Sequence, residues 1–159
     1  MLKTLDSFFN VSPNQKALLK IFVLQIKKNQ EKANLIGKST LNKIWVRHVL
    51  DSMQIIKYLP MEKRGKFMVD VGTGAGFPGV VLHIMGRKNI LLCDKSTKKT
   101  YILKKILKEC SLNIEVSNTR IENYFKDNIE VIVSRAFASI KKLMISIYHL
   151  ISRDTILII

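Results

Sequence analysis

From Gln15 to Lys32 the apolar residues Leu18, Ile21, Phe22 and Ile26 recur three or four positions apart, which predicts an amphipathic helix with Pro13 and Asn14 as start signals. The same period returns from Asn42 to Leu59, where Ile44, Val49, Leu50, Met53 and Ile56 form the stripe of a second helix that Pro60 stops. Beyond the basic turn EKRGK the period changes. FMVDVG is a short apolar run without alternation, ended by glycine, and predicts a strand buried on both faces of a parallel sheet. GVVLHIM then predicts a helix, NILLCD a second strand, and Lys98 to Cys110 an amphipathic helix with Ile102, Leu103, Ile106, Leu107 and Cys110 inward. EVSN is a weak third strand, Ile121 to Phe125 a short helix or turn, EVIVSRAF a strong fourth strand, Ile140 to Ser152 a helix and TILII a fifth strand. Strands alternating with helices imply right-handed crossovers and a doubly wound, mostly parallel α/β layer over residues 63–159. A helical cap over residues 1–62 precedes it, and the two form one compact unit.

Composition narrows the class. A chain of 159 residues fits one domain, and 47% hydrophobic residues exclude disordered and collagenous chains. The 27 Lys and Arg against 12 Asp and Glu leave a net charge of +15. Because the excess is spread along the chain, it reads as a basic surface for a polyanion, with compositional drift toward lysine as the plainer source. Two cysteines make no disulfide framework, no metal-ligand cluster is read from the sequence, and the N-terminal residues lack the apolar core of a signal peptide. No apolar run approaches the ~20 residues that span a bilayer. A protein of a reducing cytoplasm, without a membrane partner, is the expectation.

The segment Asp70-Val71-Gly72-Thr73-Gly74-Ala75-Gly76-Phe77-Pro78-Gly79 carries the most chemistry. Its glycines let the chain turn off the first strand and let a ligand approach the backbone. Asp94 closes the second strand, where an acid in such folds accepts ribose hydroxyls. Two ligands fit. Gly74, Gly76 and Gly79 satisfy the GxGxxG of dinucleotide sites, which alone is a weak signal. The other candidate is S-adenosylmethionine, with Asp70 near its charged amino-acid portion. Asp70 is a poor neighbour for a pyrophosphate, and Pro78 removes an N–H from the helix start, so both residues favour the methyl donor.

The segments RHVLDS (47–52), VDVGTGAGFPG (69–79) and VSRAF (133–137), in this order, resemble the small-subunit ribosomal RNA methyltransferases of the GidB/RsmG type. The resemblance covers about residues 30–145. It implies a Rossmann-like class I methyltransferase sheet, S-adenosyl-L-methionine as cofactor, and methylation of guanine N7 in 16S ribosomal RNA, free or within a subunit particle. It also implies cofactor contacts at Gly72, Phe77, Ile121, Glu122 and Arg135. Members of that family continue beyond the fifth strand, so C-terminal strands are expected to be missing here, with TILII left as an unpaired edge.

Guanine N7 has an available lone pair, so methyl transfer needs positioning rather than proton removal. Ser134-Arg135-Ala136-Phe137 stands after the fourth strand, where methylation of an exocyclic amine would suggest an NPPY-like tetrapeptide. Cys93 and Cys110 read as core thiols rather than nucleophiles. Arg135 and Arg120 are the candidate catalytic residues, because an arginine at the carboxyl end of a strand lies at the ligand crevice. The plainer alternative for Arg135 is a surface ion pair with Glu122 or Asp94. Cofactor contacts are expected at Asp70, Gly72, Gly74, Gly76, Phe77, Asp94, Ile121, Glu122 and Arg135. RNA contacts are expected at Arg47, His48, Lys95, Lys98 and Lys99, with an Arg47–Asp51 pair on the helix and anchoring of the helix as the alternative for His48. The rivals are a methyltransferase with another substrate, a nicotinamide-dependent oxidoreductase, and a non-catalytic RNA-binding protein.

Overall fold

Strand β1 (Phe67–Val71) is buried from Met68 onward, as an unalternating apolar run at the centre of a parallel sheet requires. The computed structural model describes residues 9–135, 137 and 139–159. The start of the cap and Ala136 of the VSRAF segment therefore lie outside the described residues. Around β1 assemble β2 (Ile90–Cys93), β3 (Glu115–Ser117), β4 (Ile129–Ser134) and β5 (Ile156–Ile158), all parallel, in the order β3-β2-β1-β4-β5. Chain direction reverses its progress across the sheet between β1 and β4, and the crevice beyond their carboxyl ends is where such sheets bind ligands.

Side chains alternate across the sheet. Met68, Leu92, Val131 and Val133 face a core shared with α1 (Pro13–Ala33), α2 (Gly79–Ile84) and α3 (Thr97–Glu109). Val69, Val71, Leu91, Cys93 and Ile132 face a second core under α4 (Ile140–Ile147). The first core includes Phe22, Ile26, Ile44, Val49 and Met53 of the N-terminal helices, so these pack on the α2–α3 layer as part of one interior.

Ser12 caps α1: its hydroxyl accepts from Gln15 N while the Gln15 side chain accepts from Ser12 N, and Pro13 follows at the first helical position. The expected second helix is helical but not uniform. A 3-10 turn (Lys38–Lys43) leads into a wider π turn (Trp45–Leu50), an α turn (Asp51–Met53) and a further 3-10 turn (Gln54–Tyr58). The Ser52 hydroxyl donates back to the His48 carbonyl, a bond that competes with the regular ladder. The expected helix 140–152 is α-helical only through Ile147 and ends in a 3-10 turn, Tyr148–Leu150. At the opposite end of the sheet from the crevice, part-buried Arg87 donates to Pro60 O and to Glu130 Oε2 at 2.8 and 2.9 Å, tying the exit of the helical segment to β4.

Candidate functional site

Glycine serves the loop after β1 in two ways, through backbone conformation and through close packing. Gly72 and Gly74 take φ of +73° and +57°, a region that side chains rarely adopt, and a Cβ at Gly74 would meet the Gly72 and Leu35 carbonyl oxygens at an ordinary 3.9 and 4.0 Å. Gly76, itself at φ +93°, and Gly79 serve close packing. A Cβ at Gly76 would meet Val80 Cγ2 at 2.6 Å, and one at Gly79 would meet Leu92 Cδ2 at 2.3 Å. Gly76, expected as a cofactor contact, faces the core and lines neither cavity described below.

Asp70, also expected as a cofactor contact, lines neither cavity. Its side chain lies beneath the loop, fully buried, with Oδ2 accepting from Thr73 Oγ1 at 2.7 Å and Gly79 N at 2.8 Å. Burial raises its pKa to about 6, against the two hydrogen bonds and Arg135, which lower it. Asp70 thus shapes the loop from below. Because it takes the N–H of Gly79, and Pro78 has none, the start of α2 offers no cradle for a pyrophosphate. This is the physical reason that the loop suits a methyl donor better than a dinucleotide.

Asp94, just past β2, accepts from Gly74 N on Oδ2 and from Ser96 N on Oδ1, both at 2.8 Å. It fastens the glycine loop to the start of α3, and each oxygen keeps lone-pair capacity for a ligand. A cavity of about 600 Å³ opens here, lined by Gly72, Gly74, Asp94, Ile121 and Glu122 together with Phe137. Its size is that of small-molecule sites. Acceptors at Asp94 and Glu122 beside the apolar Ile121 and Phe137 match a ribose and a purine ring, so the residues present fit S-adenosyl-L-methionine. Ser146 donates to Glu122 Oε1 at 2.7 Å, and that bond holds the Glu122 carboxyl below its ordinary pKa.

A second cavity of about 340 Å³ adjoins the first, sharing Gly72, Gly74 and Lys99. Thr40, Arg47, His48 and Asp51 of the helical segment line it from one side, Phe77 and Arg135 from the other. Phe77 is nearly buried, its ring 5.2 Å from Phe22, 5.0 Å from His48 and 5.7 Å from the Arg135 guanidinium carbon.

Arg135 follows β4 directly, where Ser134 Oγ ties the strand end to Val71 O at 3.0 Å. It makes neither of the expected ion pairs with Glu122 or Asp94. Its guanidinium donates to Arg47 O at 3.1 Å and to His48 Nδ1 at 2.7 Å. A guanidinium only donates, so Nδ1 is the accepting nitrogen and the proton sits on Nε2. That proton is donated to Thr40 Oγ1 at 2.8 Å, and the Thr40 hydroxyl donates to Gly37 O at 2.8 Å. The chain of bonds has one direction throughout and requires neutral His48. Burial and the Arg135 charge agree, lowering the His48 pKa to about 4.

Other candidates fall differently. Arg120 and Lys95 line the first cavity, apart from Arg135, while Lys98 lines neither. Arg47 and Asp51 approach to 4.0 Å. Cys93 and Cys110 are buried, and burial pushes their thiols up to about 12 and about 11, which suits core packing. Thr40, Phe137, Lys142 and Ser146 were missed. Ser146 four residues after Lys142 on one helix face was the only local signal for the last two. Among the described residues no helix is long and apolar enough to cross a membrane.

The model of the GidB family, described as rRNA small subunit methyltransferase G, matches residues 15–159. The chain is 33% identical over 141 residues to the Ribosomal RNA small subunit methyltransferase G of Rickettsia akari (strain Hartford), covering 89% of this chain and 72% of that one. It is 30% identical over 163 residues to the protein of the same name from Orientia tsutsugamushi (strain Ikeda), covering 100% and 81%. Among solved structures, an S-adenosyl-L-methionine-dependent methyltransferase assignment accompanies a Methanococcus maripaludis chain with TM-score 0.57 at 17% identity, covering 91% of this chain and 62% of that one. The ribosomal protein L11 methylase of Lactobacillus delbrueckii subsp. bulgaricus has TM-score 0.55 at 21% identity, covering 65% and 54%. These two likenesses bear on the fold alone.

Proposed function

The chain belongs to the GidB family of rRNA small subunit methyltransferases, and from that premise we propose that it transfers a methyl group from S-adenosyl-L-methionine to N7 of a guanine in 16S ribosomal RNA. The observation that carries the reading is the pair of adjoining cavities that meet over Gly72 and Gly74. One has the donor set for a nucleoside-bearing cofactor, and the other is rimmed by arginines and lysine suited to RNA.

When bound, the cofactor supplies an electrophilic sulfonium methyl group. Asp94 would accept hydrogen bonds from the ribose hydroxyls while holding Gly74, Glu122 and Ile121 would flank the purine ring, and the bare backbone of Gly74 would admit the ligand closely. Arg135, fixed by Arg47 O and His48, retains three of its five N–H donors for the cofactor's carboxylate or the RNA. Phe77 supports that guanidinium from below. Arg47, Lys95 and Lys99 attract phosphates, and the net charge of +15 strengthens the encounter at low salt. The target base leaves its stack to enter the second cavity. Guanine N7 carries a lone pair and no proton, so the reaction asks these residues for alignment alone. Neutral His48 and buried thiols are consistent with a site that moves no proton.

The test is a map of N7-methylguanine across small-subunit RNA in cells with and without this gene. Loss of one methylated position supports the reading, and an unchanged map contradicts it.

A further inference from the structure

Two RNA bases, guanine and adenine, carry an N7, and in-line methyl transfer does not itself distinguish them. Beyond the O6 or N6 group beside N7, the two differ on the opposite edge of the ring. Guanine presents two donors there, N1–H and the N2 amino group, whereas adenine presents an acceptor at N1 beside its N6 donor. A site selecting guanine by that edge needs two acceptors side by side, and a carboxylate supplies them.

Among the described residues the second cavity contains one carboxylate, Asp51. Its other side-chain acceptors are already engaged: His48 Nδ1 by Arg135, Thr40 Oγ1 by His48 Nε2, and the Thr73 hydroxyl is turned to Asp70. Asp51 differs. Among the described residues neither of its oxygens accepts a side-chain hydrogen bond, and its one ion pair, to Arg47 Nη1, is stretched to 4.0 Å with the carboxylate a third exposed. It lines the same cavity as His48 and Arg135. The wide π turn Trp45–Leu50 and the α turn Asp51–Met53 together bring residues 47, 48 and 51 onto that one wall.

We propose that Asp51 selects the base: its carboxylate accepts N1–H and N2–H of the target guanine in the second cavity, which turns N7 toward the rim shared with the first. This rests on the guanine-N7 reading above and adds the residue that rejects adenine.

The test uses the whole chain and small-subunit RNA carrying guanosine, inosine or adenosine at the position that the wild-type protein methylates. Inosine keeps N7 and N1–H but lacks the N2 amino group. The wild type is expected to prefer guanosine over inosine roughly 10- to 100-fold in kcat/KM, the scale of a hydrogen bond to a charged group. Asp51→Ala brings that ratio close to one, with S-adenosyl-L-methionine affinity unchanged by calorimetry. Asp51→Asn, which offers one acceptor and one donor, shifts the guanosine-to-adenosine ratio toward adenosine. Matching thermal transitions establish that both variants fold. An unchanged guanosine-to-inosine ratio in Asp51→Ala overturns the assignment. So does a loss of donor affinity in that variant, which would set the carboxylate against the cofactor's ammonium group. Failure of the wild type to methylate any guanine at N7 would instead bring down the reading beneath it, and with it this one.

Discussion

Arg135 Nη2 lies 2.7 Å from His48 Nδ1, so the residue at the end of β4 is held by one 87 positions earlier on the N-terminal helices. The two sides of the second cavity are joined by this bond, whose geometry depends on a histidine that accepts. Replacing His48 with Phe keeps the ring and removes the acceptor, and is expected to lower kcat/KM by roughly 10-fold or more. His48→Asn, with an oxygen near the place of Nδ1, recovers much of the loss. Single-turnover kinetics of the three proteins check this, and equal rates in His48→Phe would remove the bond from the account.

The same histidine gives a pH signature. Its pKa is lowered from 6.5 to about 4, so the neutral form is favoured by folding. Its contribution to stability is complete above pH 6.5 and is lost as pH falls through about 4. Thermal unfolding of wild type and His48→Phe between pH 4 and 7 is expected to show the difference between them shrinking as pH falls.

Asp70 runs the other way. Its pKa is raised from 3.8 to about 6, chiefly by burial, so the stability linked to its protonated form is complete below 3.8 and lost as pH rises through about 6. Asp70→Asn keeps an oxygen for Thr73 and Gly79 and has no charge to bury. Its stability relative to wild type is expected to rise between pH 4 and pH 6, by about 1–3 kcal/mol for a shift of this size. Denaturant titrations at the two pH values measure it.

Two alanine substitutions separate the glycines that pack from those that face a ligand. Gly79→Ala drives a methyl into Leu92 Cδ2 and to 2.8 Å from Asp70 Oδ2, and is expected to destabilise the fold by ~1–3 kcal/mol or more. Gly74→Ala finds room, so its stability cost is the ~1–2 kcal/mol of a left-handed backbone, while its methyl projects into the space a ligand needs. Calorimetry with S-adenosyl-L-methionine should show weakened binding in Gly74→Ala, measured beside the denaturation midpoints of both.

The strands, their parallel arrangement and the loop between β1 and α2 were legible because each is written in a contiguous run of residues. FMVDVG could be read as a buried strand from its own six positions. What the glycines do was not legible: Gly74 and Gly76 are the same letter two apart, and only the packing of Val80 and Leu103 against one of them separates a ligand contact from a core contact. The place of Asp70 was hidden for a related reason, since only the folded loop sets its Oδ2 against Thr73 and Gly79. The Arg135–His48 bond joins distant segments, and its partner could not be found by spacing. The π turn that presents Arg47, His48 and Asp51 on one wall departs from the 3.6-residue period on which the second helix was predicted.

Incubation of the purified chain with methyl-labelled S-adenosyl-L-methionine and unmodified small-subunit RNA, followed by chemical strand scission at N7-methylguanine, tests the central claim most directly. The account predicts label in the RNA, scission at a single guanine, and loss of both in Arg135→Ala with the fold retained. Label at another atom, or an RNA that takes up none while the protein binds it, would contradict it.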